Sequence, residues 1–525
     1  VRSTDASGAP IAWIGQGGIA VGSDAVFAAG KTGSGVSTVT KLYALNRGGG
    51  AGGGGAGAVL WASVVPNPVF DSAPTPSLDV ANGTVLYPSG NRVRAFALGS
   101  GTLMWETALS RSIVNASVCV TNGRAYITDY DGFGIAASIY SINTAPFDAE
   151  TNPYQVGQIV WSAPIGGASG NTPAFDATLN AVFVATVGEY ETTSGQVLAF
   201  DVAAAEADAA INAVPQPFWI VTAPLAGQDD PQDPNNLDPI GFFGGVTVAW
   251  INEQGVQTPV VLASTYAFGG GMASARTLAI HGETGAILWS LPTNRTRSIP
   301  VMLTRAGNLV GQPSSGIAMN VLLAGGVPGY GTVPTLEFAA ASSLGALPVF
   351  QSAMNTWTDL NANGLLDSGE YTRFGGWSAQ PVVTRWRGSA GAVVGTIPSG
   401  TNFAGFSTDL RTLDLTRSPA PLPNGFVTAT AANGGGSAAV AGLNIYSIGV
   451  AGLCGFGPTP GTLDINSDSR ISIDDLVLFE QGNQRDLDSN GAVNGQDRAM
   501  LVDALRRRDR TDVFSRERPK GGGGS

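Results

Sequence analysis

Apolar residues in this chain fall into short runs closed by glycine, proline or Asn/Asp turns, as in TVLYPSG, RAYITDY and AVFVATVG. Runs of that length with turn residues at both ends predict β-strands, and the i, i+3, i+4 stripe of long helices is scarce. The runs also recur in order. An apolar strand is followed by a short glycine-containing turn and then by an aliphatic-Trp step. LYALN leads to Trp61, RAFALGSGTLMW ends at Trp105, and IYSINT leads to GQIVW at Trp161. VLAFDV leads to PFW at Trp219, and TLAIHGETGAILW ends at Trp289. The period is roughly 45 to 70 residues, the spacing of four-stranded units stacked side by side.

Each unit opens near a small-residue step, as in SAPTPSLDV, NASVCVT and GNTPAFDA, which brings the count to four short strands. One such sheet cannot bury both faces, whereas a ring of them covers every face and leaves no long open edge. The tryptophan is then a wedge between neighbours. Later units keep the strand rhythm without it: RSIPVMLT to LPVF, GWSAQPVVT to TLDL, and GFVTATAA to NIYSIG. The last shows no terminal strand, while PIAWIG near the start is an aliphatic-Trp step with no strands before it. These two ends are expected to share one unit and close the ring. The predicted fold is all-β, an eight-bladed β-propeller (seven-bladed is the alternative) closed by an N-terminal strand, with a small α-helical module behind it. The expected domains are a propeller over 1–450, a linker over 451–461, a module over 462–512 and a flexible tail over 513–525 that ends in GGGGS. The polar start VRSTDASGAP fits a mature N-terminus.

HGETGAILW and FALGSGTLMW make the repeat resemble the quinoprotein (PQQ)-like propeller superfamily, over about residues 10 to 450 and best in the first five units. The resemblance implies a propeller, and many chains with such repeats bind no quinone. Enzymes of that superfamily hold the quinone between a tryptophan and a ring of adjacent cysteines, and this chain has no adjacent cysteines.

Two twelve-position loops stand near the C-terminus, DINSDSRISIDD at 464–475 and DLDSNGAVNGQD at 486–497. Oxygen side chains at positions 1, 3, 5, 9 and 12, with a backbone carbonyl at position 7, suit a hard cation that takes six to eight oxygens. The ligands expected in the first loop are Asp464, Asn466, Asp468, the Arg470 carbonyl, Ser472 through water, and Asp475. In the second they are Asp486, Asp488, Asn490, the Ala492 carbonyl, Asn494 and Asp497. Ile471 and Val493 supply an apolar position 8, and each loop runs into a helix-like stretch, DLVLFEQG and DRAMLVDALRR. The duplicated array resembles a type I dockerin over about 461–509, which implies calcium and a cohesin-like partner. Two positions depart from that pattern. Ser469 stands where glycine permits the sharp turn, which weakens the first site. Positions 10 and 11 are Ile473–Asp474 in one loop and Gly495–Gln496 in the other, so symmetric two-way binding is not expected.

A third loop, DLNANGLLDSGE at 359–370, fits the EF-hand spacing inside a propeller insertion. Its expected ligands are Asp359, Asn361, Asn363, the Leu365 carbonyl, Asp367 and Glu370, and its expected role is to stiffen the insertion. The acidic stretch from Gly227 to Pro239 has no fixed ligand spacing and reads as a solvated loop.

Composition narrows the function. The 525 residues carry a formal net charge of -12, and lysine occurs only at Lys31, Lys41 and Lys520, so the phosphate contacts of nucleic-acid binding have no basic surface. No apolar run is long enough for a membrane span. Arg506 to Arg508 read as the basic last turn of a helix. Cys119 and Cys454 lack the spacing of a metal or redox site, and a disulfide between them is left open. His281 is the sole histidine, which leaves His-based acid/base chemistry and His metal sites poorly supplied, while paired carboxylates stay open. The expected function is therefore non-catalytic: a secreted, extracellular or cell-surface binding and assembly protein that uses Ca2+. Its partner through 462–512 is a cohesin-like protein or another copy of the chain, and a polysaccharide or surface component is the partner class for the propeller. A structural subunit of a self-assembling filament or surface layer and a quinoprotein dehydrogenase are the alternatives.

Overall fold

A computed structural model of the chain describes most of residues 3–303, specifically 3–14, 18–34, 37–47, 56–66, 74–132, 134–167, 170–189, 192–224, 226–227, 237–238, 240–253, 255–265, 275–293 and 299–303. Beyond that it describes 319–325, 335–351, 358–364, 370, 382–384, 393–395, 410–414, 426–429, 438–441, 444–449, 452–456, 473–481, 495, 498–502 and 505.

The described residues form successive antiparallel sheets, each a meander of neighbouring strands. Sheet 1 contains Ala25–Thr32, Val39–Asn46 and Val59–Val65, with Ala12–Trp13 and Ala20–Val21 laid end to end along one edge. Sheet 2 is Ser77–Asp79, Thr84–Ser89, Arg92–Ala97 and Leu103–Ala108, and sheet 3 is Cys119–Thr121, Arg124–Thr128, Ser138–Asn143 and Ile159–Pro164. Sheet 4 is Ala174–Asp176, Ala181–Ala185, Gln196–Asp201 and Trp219–Thr222, and sheet 5 is Thr247–Glu253, Val256–Ser264, Arg276–His281 and Ile287–Pro292. Sheets 6 and 7 also have four strands each, over 301–351 and 382–429, and sheet 8 has three over 439–456. A two-stranded ribbon, Ala226–Gly227 with Leu237–Asp238, brackets the acidic stretch between sheets 4 and 5.

Burial explains the strand sequences. Ala181–Ala185 is buried at every position, so it reads AVFVA with no polar alternation. Trp219–Thr222, at the outer edge of the same sheet, alternates buried and exposed. The apolar clusters sit between consecutive sheets. Phe27 and Trp61 pack with Tyr87 and Phe96 across sheets 1 and 2. Tyr126 and Trp161 pack with Phe200 across sheets 3 and 4. First strands also touch in order, from Ser77–Asp79 to Cys119–Thr121, Ala174–Asp176, Thr247–Glu253 and Val301–Leu303. This is the arrangement of propeller-type all-β folds.

The chain ends meet differently from the sequence expectation. Ala12–Trp13 does not join the last sheet; it pairs with Ala25–Thr32 in sheet 1, Ala12 opposite Lys31 and Trp13 opposite Gly30. The strand that completes sheet 8 is Gly452–Phe456, inside the stretch expected to be linker, where it pairs with Asn444–Gly449. Its alternation of small and apolar residues, GLCGF, hid it among glycines and prolines. Sheets 1 and 8 close on each other through side chains: Val26, Tyr43 and Leu45 pack with Tyr446, Ile448 and Leu453. Arg47 bridges the same seam, donating from Nε to the Tyr446 hydroxyl at 3.2 Å and from Nη2 to the Ala441 carbonyl at 2.8 Å.

Two helices of eight or more residues interrupt this pattern among the described residues. Helix α1, Val202–Ala210, is inserted between the third and fourth strands of sheet 4 and is capped by Asp201, whose carboxylate accepts from Ala204 N–H at 2.8 Å. Helix α2, Ile473–Glu480, belongs to the C-terminal module. No described helix is long and apolar enough to cross a membrane.

Candidate functional site

The insertion loop is described for its first six positions and its last. Asp359 Oδ1 accepts from Asn363 N–H at 3.2 Å and Oδ2 accepts from Gly364 N–H at 2.9 Å, while Asn361 Oδ1 also accepts from Asn363 N–H at 3.1 Å. Ala362 and Gly364 take φ of 58° and 73°, which folds the chain back around Asp359. Glu370 is buried and ties the two ends together: its carbonyl accepts from Thr358 N–H at 2.7 Å and its Oε1 from Leu360 N–H at 2.9 Å. Positions 1 and 12 of the loop are thus adjacent, as a cation ligand set needs. Leu365 and Asp367 lie outside the described residues.

In the C-terminal module Asp475, position 12 of the first loop, is fully buried in the first turn of α2, while Asp474 beside it is exposed. Phe479 and Leu501 are buried, and Arg498 Nε lies 2.7 Å from Glu480 Oε1, an ion pair joining α2 to helical residues 498–502. Asp464, Asn466, Asp468, Arg470, Ser472, Asp486, Asp488, Asn490, Ala492, Asn494 and Asp497 lie outside the described residues. Among the described residues no three His, Cys, Asp or Glu side chains converge as a metal cluster.

The adjacent-cysteine ring that the resemblance implies for a quinone is not present in this chain. Cys119 stands in sheet 3 and Cys454 in sheet 8, both as free thiols. Burial pushes the Cys119 thiol up to about 11 and raises Cys454 as well, so both are structural rather than reactive. The disulfide left open by the sequence is not formed.

A groove of about 340 Å3 lies between sheets 3 and 4, and nothing in the ligand-loop spacing pointed to it. Two tight turns form part of it, at Asn122 and Asn180, both with positive φ of 50° and 48°. The connection 144–158 in sheet 3, helix α1 in sheet 4 and the strand residues Arg124, Tyr126 and Phe175 supply the rest. Arg124 is clamped there: its Nε donates to Glu206 Oε1 at 2.8 Å, and its Nη1 to Asn143 Oδ1 at 2.8 Å and Asn152 Oδ1 at 3.3 Å. Its guanidinium also lies 5.4 Å over the Tyr154 ring. Phe175 stacks on Tyr126 with centroids 6.0 Å apart and planes at 11°. The sequence did carry a signal. The third strand ends eight residues before the tryptophan at Ala97 and Trp105, but eighteen before it at Asn143 and Trp161 and again at Asp201 and Trp219. Sheets 3 and 4 lengthen this connection most, and sheet 1 does so by less, with fifteen residues from Asn46 to Trp61.

No family model and no curated protein matches the chain. Solved structures similar to it include BamB from Moraxella catarrhalis, at 12% identity and TM-score 0.46, over 84% of this chain and 96% of that one. Another is the quinohemoprotein alcohol dehydrogenase from Comamonas testosteroni, at 11% identity and TM-score 0.46, over 83% of this chain and 71% of that one. A third is Kuenenia stuttgartiensis hydrazine synthase, at 12% identity and TM-score 0.40, over 72% of this chain and 93% of that one. Likenesses of this degree assign neither activity nor partner to the chain, and the account of the sheets rests on their own pairing.

Proposed function

We propose that the chain is a non-catalytic extracellular attachment protein, an eight-bladed propeller held to a protein partner by a calcium-dependent, dockerin-like C-terminal module. The observation that carries this reading is Asp475. It is the twelfth position of a loop with calcium-ligand spacing, and its carboxylate is fully buried at the start of a helix. Asp475 has a partner within the protein, and the loop before it is built of oxygen side chains at the spacing a hard cation takes. The ion pair between Glu480 and Arg498 supports a compact helix pair of the kind two calcium loops would brace. Calcium at extracellular, millimolar levels fills loops of modest affinity and orders the helices attached to them.

Calcium calorimetry on the full chain tests the reading. The protein should take up calcium at the C-terminal loops, and Asp464→Ala combined with Asp486→Ala should remove that uptake while leaving the insertion loop's own. Capture of a partner should then require calcium and be lost in the same double variant. Unchanged uptake in that variant sinks the proposal. If the captured partner is another copy, light scattering will rise in calcium and fall on chelation.

A further inference from the structure

We propose that the groove between sheets 3 and 4 binds a ring of a neutral saccharide, independently of the calcium-dependent module. Three features of the groove point to that ligand class.

Its charge is balanced. Arg124 and Glu206 are its one cation and one carboxylate and are already paired at 2.8 Å, so the groove offers no net charge to hold a phosphate, a uronate or an ammonium group. Its remaining hydrogen-bonding groups face solvent. Beyond the pairing just described, Arg124 Nη2, Glu206 Oε2 and the side-chain amides of Asn122 and Asn180 have no partner among the described residues. Planar amides and carboxylates take neighbouring hydroxyls two at a time, as donor and acceptor together, which matches vicinal diols. Its wall is aromatic. Phe175 is half-buried, held by Tyr126 behind it, and presents an apolar surface to the C–H face of a sugar ring. The volume of about 340 Å3 lies at the small end of ligand sites, suited to one or two rings.

The repeat is also broken where the groove is built. In three of the five wedge units the indole N–H of the tryptophan donates to the carbonyl just after the next sheet's third strand: Trp61 to Leu98, Trp219 to Gly282 and Trp289 to Ser342, each at 2.9 Å. The corresponding residue for Trp161 is Val202, whose carbonyl is committed to the ladder of α1, and the buried Trp161 N–H has no partner. Helix α1, which occupies the position of that acceptor, also places Ala203 and Glu206 at the groove. Insertions on one face of a repeat protein commonly carry its binding surface.

The full chain can be screened on an array of neutral, uronic and sulfated glycans. Saturation-transfer NMR with glucose, galactose, mannose, xylose and N-acetylglucosamine oligosaccharides would extend the screen to weak ligands. Neutral glycans should be retained, charged ones not, and chelation should leave binding unchanged. Two variants keep the fold: Ala203→Trp fills the groove from the exposed face of α1, and Asn122→Gly with Asn180→Gly removes both amides at positions whose φ suits glycine. Each should weaken neutral-glycan binding at least tenfold with an unchanged melting temperature. Retention of charged glycans only, retention of no neutral sugar, or full binding by both variants overturns the proposal. Binding that vanishes on chelation places the sugar site elsewhere and overturns it too. Calcium uptake measured on the same sample separates this failure from failure of the attachment reading.

Discussion

Trp219 and Trp161 occupy the same place in successive sheets, are both buried, and differ in one hydrogen bond. Replacing Trp219 by Phe removes the donor to the Gly282 carbonyl and leaves that acceptor unsatisfied, whereas Trp161→Phe removes a donor that has no acceptor. Trp219→Phe should therefore cost about 1 kcal/mol more than Trp161→Phe, measured as the shift of the denaturation midpoint. The wedge itself is shaped by glycine. A Cβ on Gly285, at φ 71°, would sit 2.9 Å from the Trp219 ring. The thiols give a second test at this scale. Because burial raises both, neither should react with a disulfide reagent at pH 8 in the native protein, and both should titrate in denaturant. Cys119 stays protonated in the fold where it would ionise unfolded. Its contribution to stability is complete below its ordinary value near 9 and is lost as pH rises to about 11.

Helix α1 shows at the scale of an element what the pattern of the chain conveys and what it hides. Asp201→Ala removes its cap and should cost about 1 kcal/mol, seen as a lower melting temperature. The strand runs, the tryptophan steps and the four-strand units were legible because each is a local consequence of burial: a middle strand covered on both faces must be apolar throughout. Helix α1 was not read, since VAAAEADAA has a weak apolar face and lies in the place of a turn. The strand Gly452–Phe456 was not read because its pairing is decided by Asn444–Gly449 and not by its own glycine-rich sequence. Ligand spacing singled out Asp359 and Glu370, and the structure places them at adjoining ends of one loop. The groove was illegible by spacing, since Asn122, Arg124, Phe175, Asn180 and Glu206 come from three separate stretches of chain and meet only when sheets 3 and 4 stack.

At the scale of the whole molecule, the contact between sheets 1 and 8 joins residues nearly four hundred positions apart, as Arg47 and Tyr446 are. Arg47→Ala should lower the melting temperature by the loss of two interactions that span the seam, on the order of 2 kcal/mol. Arg92→Ala, which breaks an exposed pair with Glu106, should change stability by less than about 0.5 kcal/mol and serves as the control. An equal effect of the two would mean that the seam contributes no more than an ordinary surface pair.

That seam also has a mechanical meaning. No hydrogen-bonded ladder runs from sheet 8 into sheet 1 among the described residues; side-chain packing and the hydrogen bonds of Arg47 join them. A pull on the C-terminal module enters the folded sheets at Phe456, the end of an edge strand in a three-stranded sheet. Tension across that strand breaks its five residue pairings with Asn444–Gly449 one after another instead of all together. The molecule would yield first at sheet 8, extending by the length of that strand.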